Sequence, residues 1–199
     1  LHHEILPGSG PFRTQVKILS VSQSAGMIIE NFAVECFVGD QLVFDMKTVF
    51  GFFPKEAFEN QVGLPASAEE RAWMQAPAEQ IIDLSTHPEK YCGGELALPG
   101  PMLLMLDRIT GYWPAGGSKG LGALRGEKTV DVDEWFFKAH FFQDPVQPGS
   151  LGVEALCQLL QFYMLEQGMG EGVDNPRFEP LKLGTPVTWK YRGQVVPKN

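Results

Sequence analysis

Two side chains able to move protons, His140 and Glu154, stand on either side of a Pro148-Gly149 pair in the run HFFQDPVQPGSLGVEALCQL. Phe136, Phe137, Phe141 and Phe142 surround the histidine in sequence, and apolar surroundings push an imidazole toward the neutral form that takes a proton. A carboxylate held on an apolar helix is pushed toward the protonated form that gives one. A base and an acid separated in this way suit the removal of water from a hydroxylated substrate. Between them, Gly149 opens a helix whose first N–H groups lack internal partners and carry the positive end of the dipole, a place for a developing enolate oxygen. The plainer alternative is that His140 is a satisfied core histidine, that Pro148-Gly149 only starts a helix and that Glu154 pairs locally.

The element that must carry Glu154 is a helix beginning near Ser150, once Pro145, Pro148 and Gly149 have excluded regular structure. Ser150 is its expected N-cap. Leu151, Val153, Leu156, Leu159, Leu160 and Phe162 make it apolar on nearly every side, which predicts burial on all sides. Glu154, Gln158 and Gln161 break this pattern at i, i+4 and i+7, along a single stripe. A carboxylate in that setting needs a partner or a purpose.

Upstream, alternation at Thr14, Val16 and Ile18 and the runs Met27 to Val38 and Gln41 to Phe53 predict β-strands. The two runs form a hairpin closed by Gly39-Asp40, where glycine supplies the positive φ of a primed turn. Residues 63–90 are rich in Ala, Glu and Gln but interrupted by Pro65, Pro77 and Pro88, and read as a linker with a helical turn or two. The organisation expected is therefore strands over 1–62, a linker over 63–90 and a site-bearing part over 91–199. In the last part, an apolar block from Glu95 precedes a Gly-rich loop over 115–126 and a short strand from Glu127 to Val132. A final strand is expected through Val187 to Tyr191.

Composition narrows the partners. Sixteen basic against twenty-four acidic residues among 199 give a net charge of −8 and a pI near 5.0, which repels phosphate backbones and anionic headgroups. Neither nucleic acid nor a membrane surface is an expected partner. No apolar run reaches the roughly 18 residues of a spanning helix and the N-terminus lacks a signal-peptide layout, so a cytoplasmic location is expected. Cys36, Cys92 and Cys157 are scattered, with no CxxC pair, which indicates free thiols and no thiolate metal site. Gly120-Leu121-Gly122 with Gly126 misses the dinucleotide-binding spacing, and Gly149-Ser150-Leu151-Gly152 lacks the glycine two residues before the serine of a nucleophile elbow.

The run HFFQDPVQPGSLGVEALCQL, preceded by LLMLDRIT at 103–110 and DEWFFKAHF at 133–141, resembles the signature of the β-hydroxyacyl-acyl carrier protein dehydratases of the hotdog fold. The resemblance covers residues 95–196. Its nearest branches are β-hydroxydecanoyl dehydratase and the dehydratase regions of polyunsaturated fatty acid or polyketide synthases. It implies an α+β chain in which an antiparallel sheet wraps a long central helix. In that family a histidine abstracts the α-proton of a 3-hydroxyacyl thioester, and an acid fourteen positions on protonates the departing hydroxyl, which puts His140 and Glu154 in those catalytic roles. The family's glycine at the helix start, whose N–H receives the thioester carbonyl, falls on Gly149, and its glutamine that orients the acid falls on Gln158.

No metal or organic cofactor is implied beyond the phosphopantetheine arm of the acyl carrier protein that bears the substrate. The β-hydroxydecanoyl branch carries aspartate where this chain has Glu154, and glutamate is usual in the sister branch that dehydrates without isomerising. Dehydration is implied; double-bond isomerisation is left open. Two alternatives stand beside it, a hotdog thioesterase and a non-catalytic hotdog partner in a multienzyme.

A hotdog of this family runs strand, helix, then several long strands, yet here the helix is followed by one expected strand. Residues 14–53 look like the missing set, as if a tandem array were cut out of phase, with parts from two hotdogs. The partners implied are an acyl carrier protein tethered in the same multienzyme and a second hotdog, as homodimer or tandem pseudo-dimer. A helix apolar on every face needs a sheet around it, so the N-terminal strands are expected to wrap it, within one chain or swapped between two.

Overall fold

A computed structural model of the chain describes residues 1–59, 64–77, 81–179, 181–191 and 193–198. It resolves into two compact units, Leu1–Gly63 with Glu179–Arg192, and Leu64–Phe178 with Gly193–Asn199.

The first unit is an antiparallel meander of β1 (Phe12–Ser24), β2 (Met27–Val38) and β3 (Gln41–Phe52), followed by the short helix α1 (Lys55–Glu59). Both hairpins close in two residues. Val38 pairs with Gln41 across Gly39, whose φ is 57°. Ser24 pairs with Met27 across Ala25 and Gly26, at φ of 48° and 78°. Positive φ at these places matches the right-handed twist of the flanking strands. Val34, Cys36 and Val43 are buried with Phe32, Val38, Phe44 and Met46 against them, while β1 is exposed along its whole length. The expected strand from Val187 to Tyr191 does not form; residues 181–191 hold no regular element. Alternation of Val187, Trp189 and Tyr191 specifies a face but supplies no edge to pair with.

The second unit carries the site. Its elements are α2 (Ala68–Gln75), β4 (Ile82–Asp83), α3 (Glu89–Cys92), β5 (Arg108–Trp113), β6 (Ala123–Glu127), α4 (Trp135–Ala139) and α5 (Gly149–Glu166), with an antiparallel sheet ordered β4-β5-β6. Residues 64–77 and 81–90, from the expected linker over 63–90, are built into this unit at several points. Ser67 and Glu70 close a capping box at the start of α2. Trp73 stacks on Trp113 at 6.2 Å, and the Arg125 guanidinium donates to the carbonyls of Trp73, Met74 and Ala76. Ile82 and Asp83 pair with β5, and Leu84 is fully buried. Strand β6 ends at Glu127 rather than beginning there. Its partner β5 starts at Arg108, opposite Glu127, and Lys128 and Thr129 turn aside to bond the Asp107 carboxylate.

Helix α5 packs on β6, where Leu159 comes so close to Gly126 that an added Cβ would stand 2.9 Å from it. Phe162 joins Leu84, Tyr91, Leu98, Leu104, Leu106 and Ile109 in the main core. The helix is not buried all round. Gln158, Gln161 and Phe162 are its buried residues, while Leu156 and Leu160 are 63% and 65% exposed. Gly152, Leu156, Leu160 and Met164 thus form an outward stripe at i+4 spacing. Among the described residues no helix is long and apolar enough to cross a membrane.

Candidate active site

His140 is placed by α4, a five-residue helix that it terminates by donating its backbone N–H to the Phe136 carbonyl at 2.9 Å. So short a helix does not hold itself. Phe136 and Phe137 anchor it, buried beside Met105 with Leu151 and Ala155 of α5 packed against them. The imidazole Nδ1 lies 2.9 Å from the Val146 carbonyl oxygen. A carbonyl only accepts, so this bond keeps a proton on Nδ1, and in the neutral ring the lone pair is on Nε2. The Phe141 ring leans on the imidazole at 3.9 Å. Phe142, by contrast, is 91% exposed, so the four phenylalanines do not enclose the histidine as the sequence suggests. The chain turns away from them through Gln143, whose φ of 58° is costly for a side chain other than Asn or Gly.

Glu154 is held from one turn further along α5. Gln158, fully buried, donates from Nε2 to Glu154 Oε1 at 2.8 Å and to the Leu103 carbonyl at 2.8 Å, and its Oε1 accepts the Met105 N–H at 2.8 Å. One amide therefore ties the acid to the backbone of residues 103–105. Burial, and then the Glu154 charge beside it, raise the Cys157 thiol above its ordinary value. Gly149 is the first residue of α5, and Pro148 is the N-cap in place of the expected Ser150. No side chain caps this end, which leaves first-turn N–H groups without a side-chain acceptor. The structure joins Glu154 to Gln158; among the described residues no hydrogen bond or ion pair joins His140 to Glu154. Gln161, third on the polar stripe, buries an Oε1 that has no partner among the described residues.

These side chains lie within residues 98–199, which match the FabA-like domain. The chain belongs to the FabA-like family. With it comes the hotdog fold, here seen as a long helix packed on antiparallel strands. The chain is also 31% identical, over 94% of its length, to a polyunsaturated fatty acid synthase subunit from Thraustochytrium sp. (strain ATCC 26185 / S-3). It spans 13% of the length of that protein.

Sequence reasoning left two arrangements near these side chains unremarked. One is the mount at Leu103 and Met105, inside the quoted LLMLDRIT run. The other is an ion-pair bridge in which Lys128 Nζ lies 3.0 Å from Asp107 Oδ1 and 2.8 Å from Glu134 Oε1. Burial pushes the Asp107 carboxyl up, but the Thr129 N–H and the Lys128 ammonium outweigh it and hold the group below its ordinary value of 3.8. Burial likewise lowers Lys128, and its two carboxylate partners reverse the effect and raise it. The signal for the bridge was LLMLDRIT followed, across the Gly-rich loop, by a lone lysine and DEWFF; pairing across 21 residues has no periodicity to announce it.

Proposed function

We propose that this FabA-like domain dehydrates 3-hydroxyacyl thioesters, presented on the phosphopantetheine arm of an acyl carrier protein, to trans-2-enoyl thioesters. His140 Nε2 takes the proton from the carbon next to the thioester carbonyl. The electron pair moves onto the carbonyl oxygen, which the uncapped N–H groups at Gly149 stabilise. As the enolate collapses, the carbon–oxygen bond at C3 breaks and Glu154 protonates the leaving hydroxyl, so water departs. Proton exchange returns the imidazolium and the carboxylate to their starting states. Gln158 holds Glu154 in place through this cycle.

The observation that carries the reading is the Nδ1 bond of His140 to the Val146 carbonyl, which supports it by leaving on Nε2 the lone pair that proton abstraction needs. A thioesterase needs no base fixed in that manner. The relation to a synthase subunit supports delivery by a carrier tethered in the same multienzyme, where effective concentration replaces charge attraction between two acidic partners. The exposed stripe on α5 supports a second hotdog, in a homodimer or a tandem pair. The setting proposed is the cytoplasm.

The test is to follow enoyl absorbance and free thiol together on 3-hydroxyacyl N-acetylcysteamine thioesters. Dehydration without thiol release is expected, with His140→Ala and Glu154→Gln each lowering kcat by about 10²- to 10⁴-fold. Thiol release in place of absorbance would establish the thioesterase instead, and wild-type rates in both variants would remove the assigned roles.

A further inference from the structure

We propose that Lys128 is a positioning residue for His140, acting through a carboxylate–ammonium–carboxylate bridge from Asp107 to the N-terminus of α4. The inference rests on the dehydratase reading given above and extends it to residues outside the motif.

The bridge differs from the other ion pairs of this unit. Lys138–Asp133 and Arg108–Glu127 join well-exposed side chains, Lys90–Glu166 joins an exposed lysine to a single carboxylate, and exposed pairs contribute little. Lys128, Asp107 and Glu134 are each half-buried, and one ammonium serves two carboxylates. Asp107 is a fixed post. Its Oδ2 accepts the Thr129 N–H at 2.7 Å, its N–H donates to Glu127 at 2.8 Å, and its carbonyl accepts the Leu84 N–H at 2.7 Å. Glu134 is the N-cap of α4, yet its side chain makes no capping bond; the carboxylate goes to Lys128 instead. Just past the five residues of α4 comes His140. The lysine thus fixes the start of the helix whose last turn presents the base, while Phe136 and Phe137 fix its side.

Residues 103–107 consequently hold both halves of the chemistry. Leu103 and Met105 grip Gln158, and through it Glu154; Asp107 grips Lys128, and through Glu134 and α4, His140. Without the ammonium, the two carboxylates are left near one another with no counter-charge, and the start of α4 is released. Misplacing a reacting group by about 1 Å costs up to about 10²-fold in rate even when the altered residue is remote.

The experiment compares Lys128→Met, Lys128→Arg and Glu134→Gln in the full chain, on 3-hydroxybutyryl and 3-hydroxydecanoyl N-acetylcysteamine thioesters, well below each variant's melting midpoint. Expected are a fall in kcat of about 10- to 100-fold for Lys128→Met with KM changed less than about threefold, a smaller fall for Glu134→Gln, and substantial recovery in Lys128→Arg. Wild-type kcat in folded Lys128→Met, or equal losses in the Met and Arg variants, would overturn the inference. Should Lys128→Met fail to fold, Glu134→Gln decides by the same criterion. His140→Ala runs alongside: if it keeps full activity, the dehydratase reading falls and this inference with it, whereas an inactive His140→Ala beside a fully active Lys128→Met sinks this inference alone.

Discussion

Gln158 uses its oxygen and both its N–H groups, on Met105, Leu103 and Glu154. Replacing it by leucine keeps the volume but leaves the Met105 N–H without a partner in a buried place and the Leu103 carbonyl without one at a part-buried place. Each orphan costs about 1–3 kcal/mol. Gln158→Leu is therefore expected to lose stability on that scale in urea unfolding. It should also lower kcat at least about tenfold by freeing Glu154, and a variant with unchanged kcat would show that the amide is structural only. At this scale a histidine among phenylalanines and a polar stripe on an apolar helix draw attention to His140, Glu154 and Gln158, while the roles proposed for them and for Gly149 come from the family resemblance. Lys128 and Asp107 violate none. A lysine after a Gly-rich loop reads as solvated, and only the tertiary pairing makes it a bridge.

The far end of α5 is fastened differently. Glu166 Oε1 receives both Lys90 Nζ and the Tyr91 hydroxyl at 2.5 Å, clasping the four-residue α3 to the long helix. Burial raises the Glu166 carboxyl, but Lys90 and Tyr91 outweigh it and hold it below the ordinary 4.5. A carboxylate with a depressed folded pKa adds stability that is present above its unfolded pKa and is lost as pH falls through the folded value. The unit is thus expected to weaken as pH drops below about 4.5, and Glu166→Gln should flatten that part of the profile. At neutral pH the same substitution should cost about 1 kcal/mol, since the amide oxygen still accepts the Tyr91 hydroxyl without the charge, and Lys90 is exposed and screened. Thermal melts across acid pH read both effects, and superimposable wild-type and Glu166→Gln profiles would refute the clasp. Among the elements, the β2–β3 hairpin was legible to within a residue because turn and alternation agree. Strand β6 ends where β5 begins, which no local pattern announces, and the all-round hydrophobicity of α5 reports a need for cover without saying how much the local sheet provides.

The whole molecule was the least legible, since a sequence pattern names faces and not their partners. The family match covers residues 98–199, and the chain spans 13% of the length of the synthase subunit it resembles. Each site is proposed to take its histidine from one hotdog and its acid from the next. Chains carrying His140→Ala and chains carrying Glu154→Gln, each inactive alone, are then expected to recover up to about a quarter of wild-type activity when equal amounts are mixed under exchange of protomers, since half the pairs are mixed and one of the two sites in each is intact. No recovery despite proven exchange would argue for sites complete within one hotdog. The segment from Leu103 to Asp107 gives this a genetic form. Lesions at Lys128 or Glu134 fall in one complementation group with His140, and lesions at Gln158 in a second with Glu154. A lesion that displaces residues 103–107 themselves belongs to both groups, and neither tester chain rescues it.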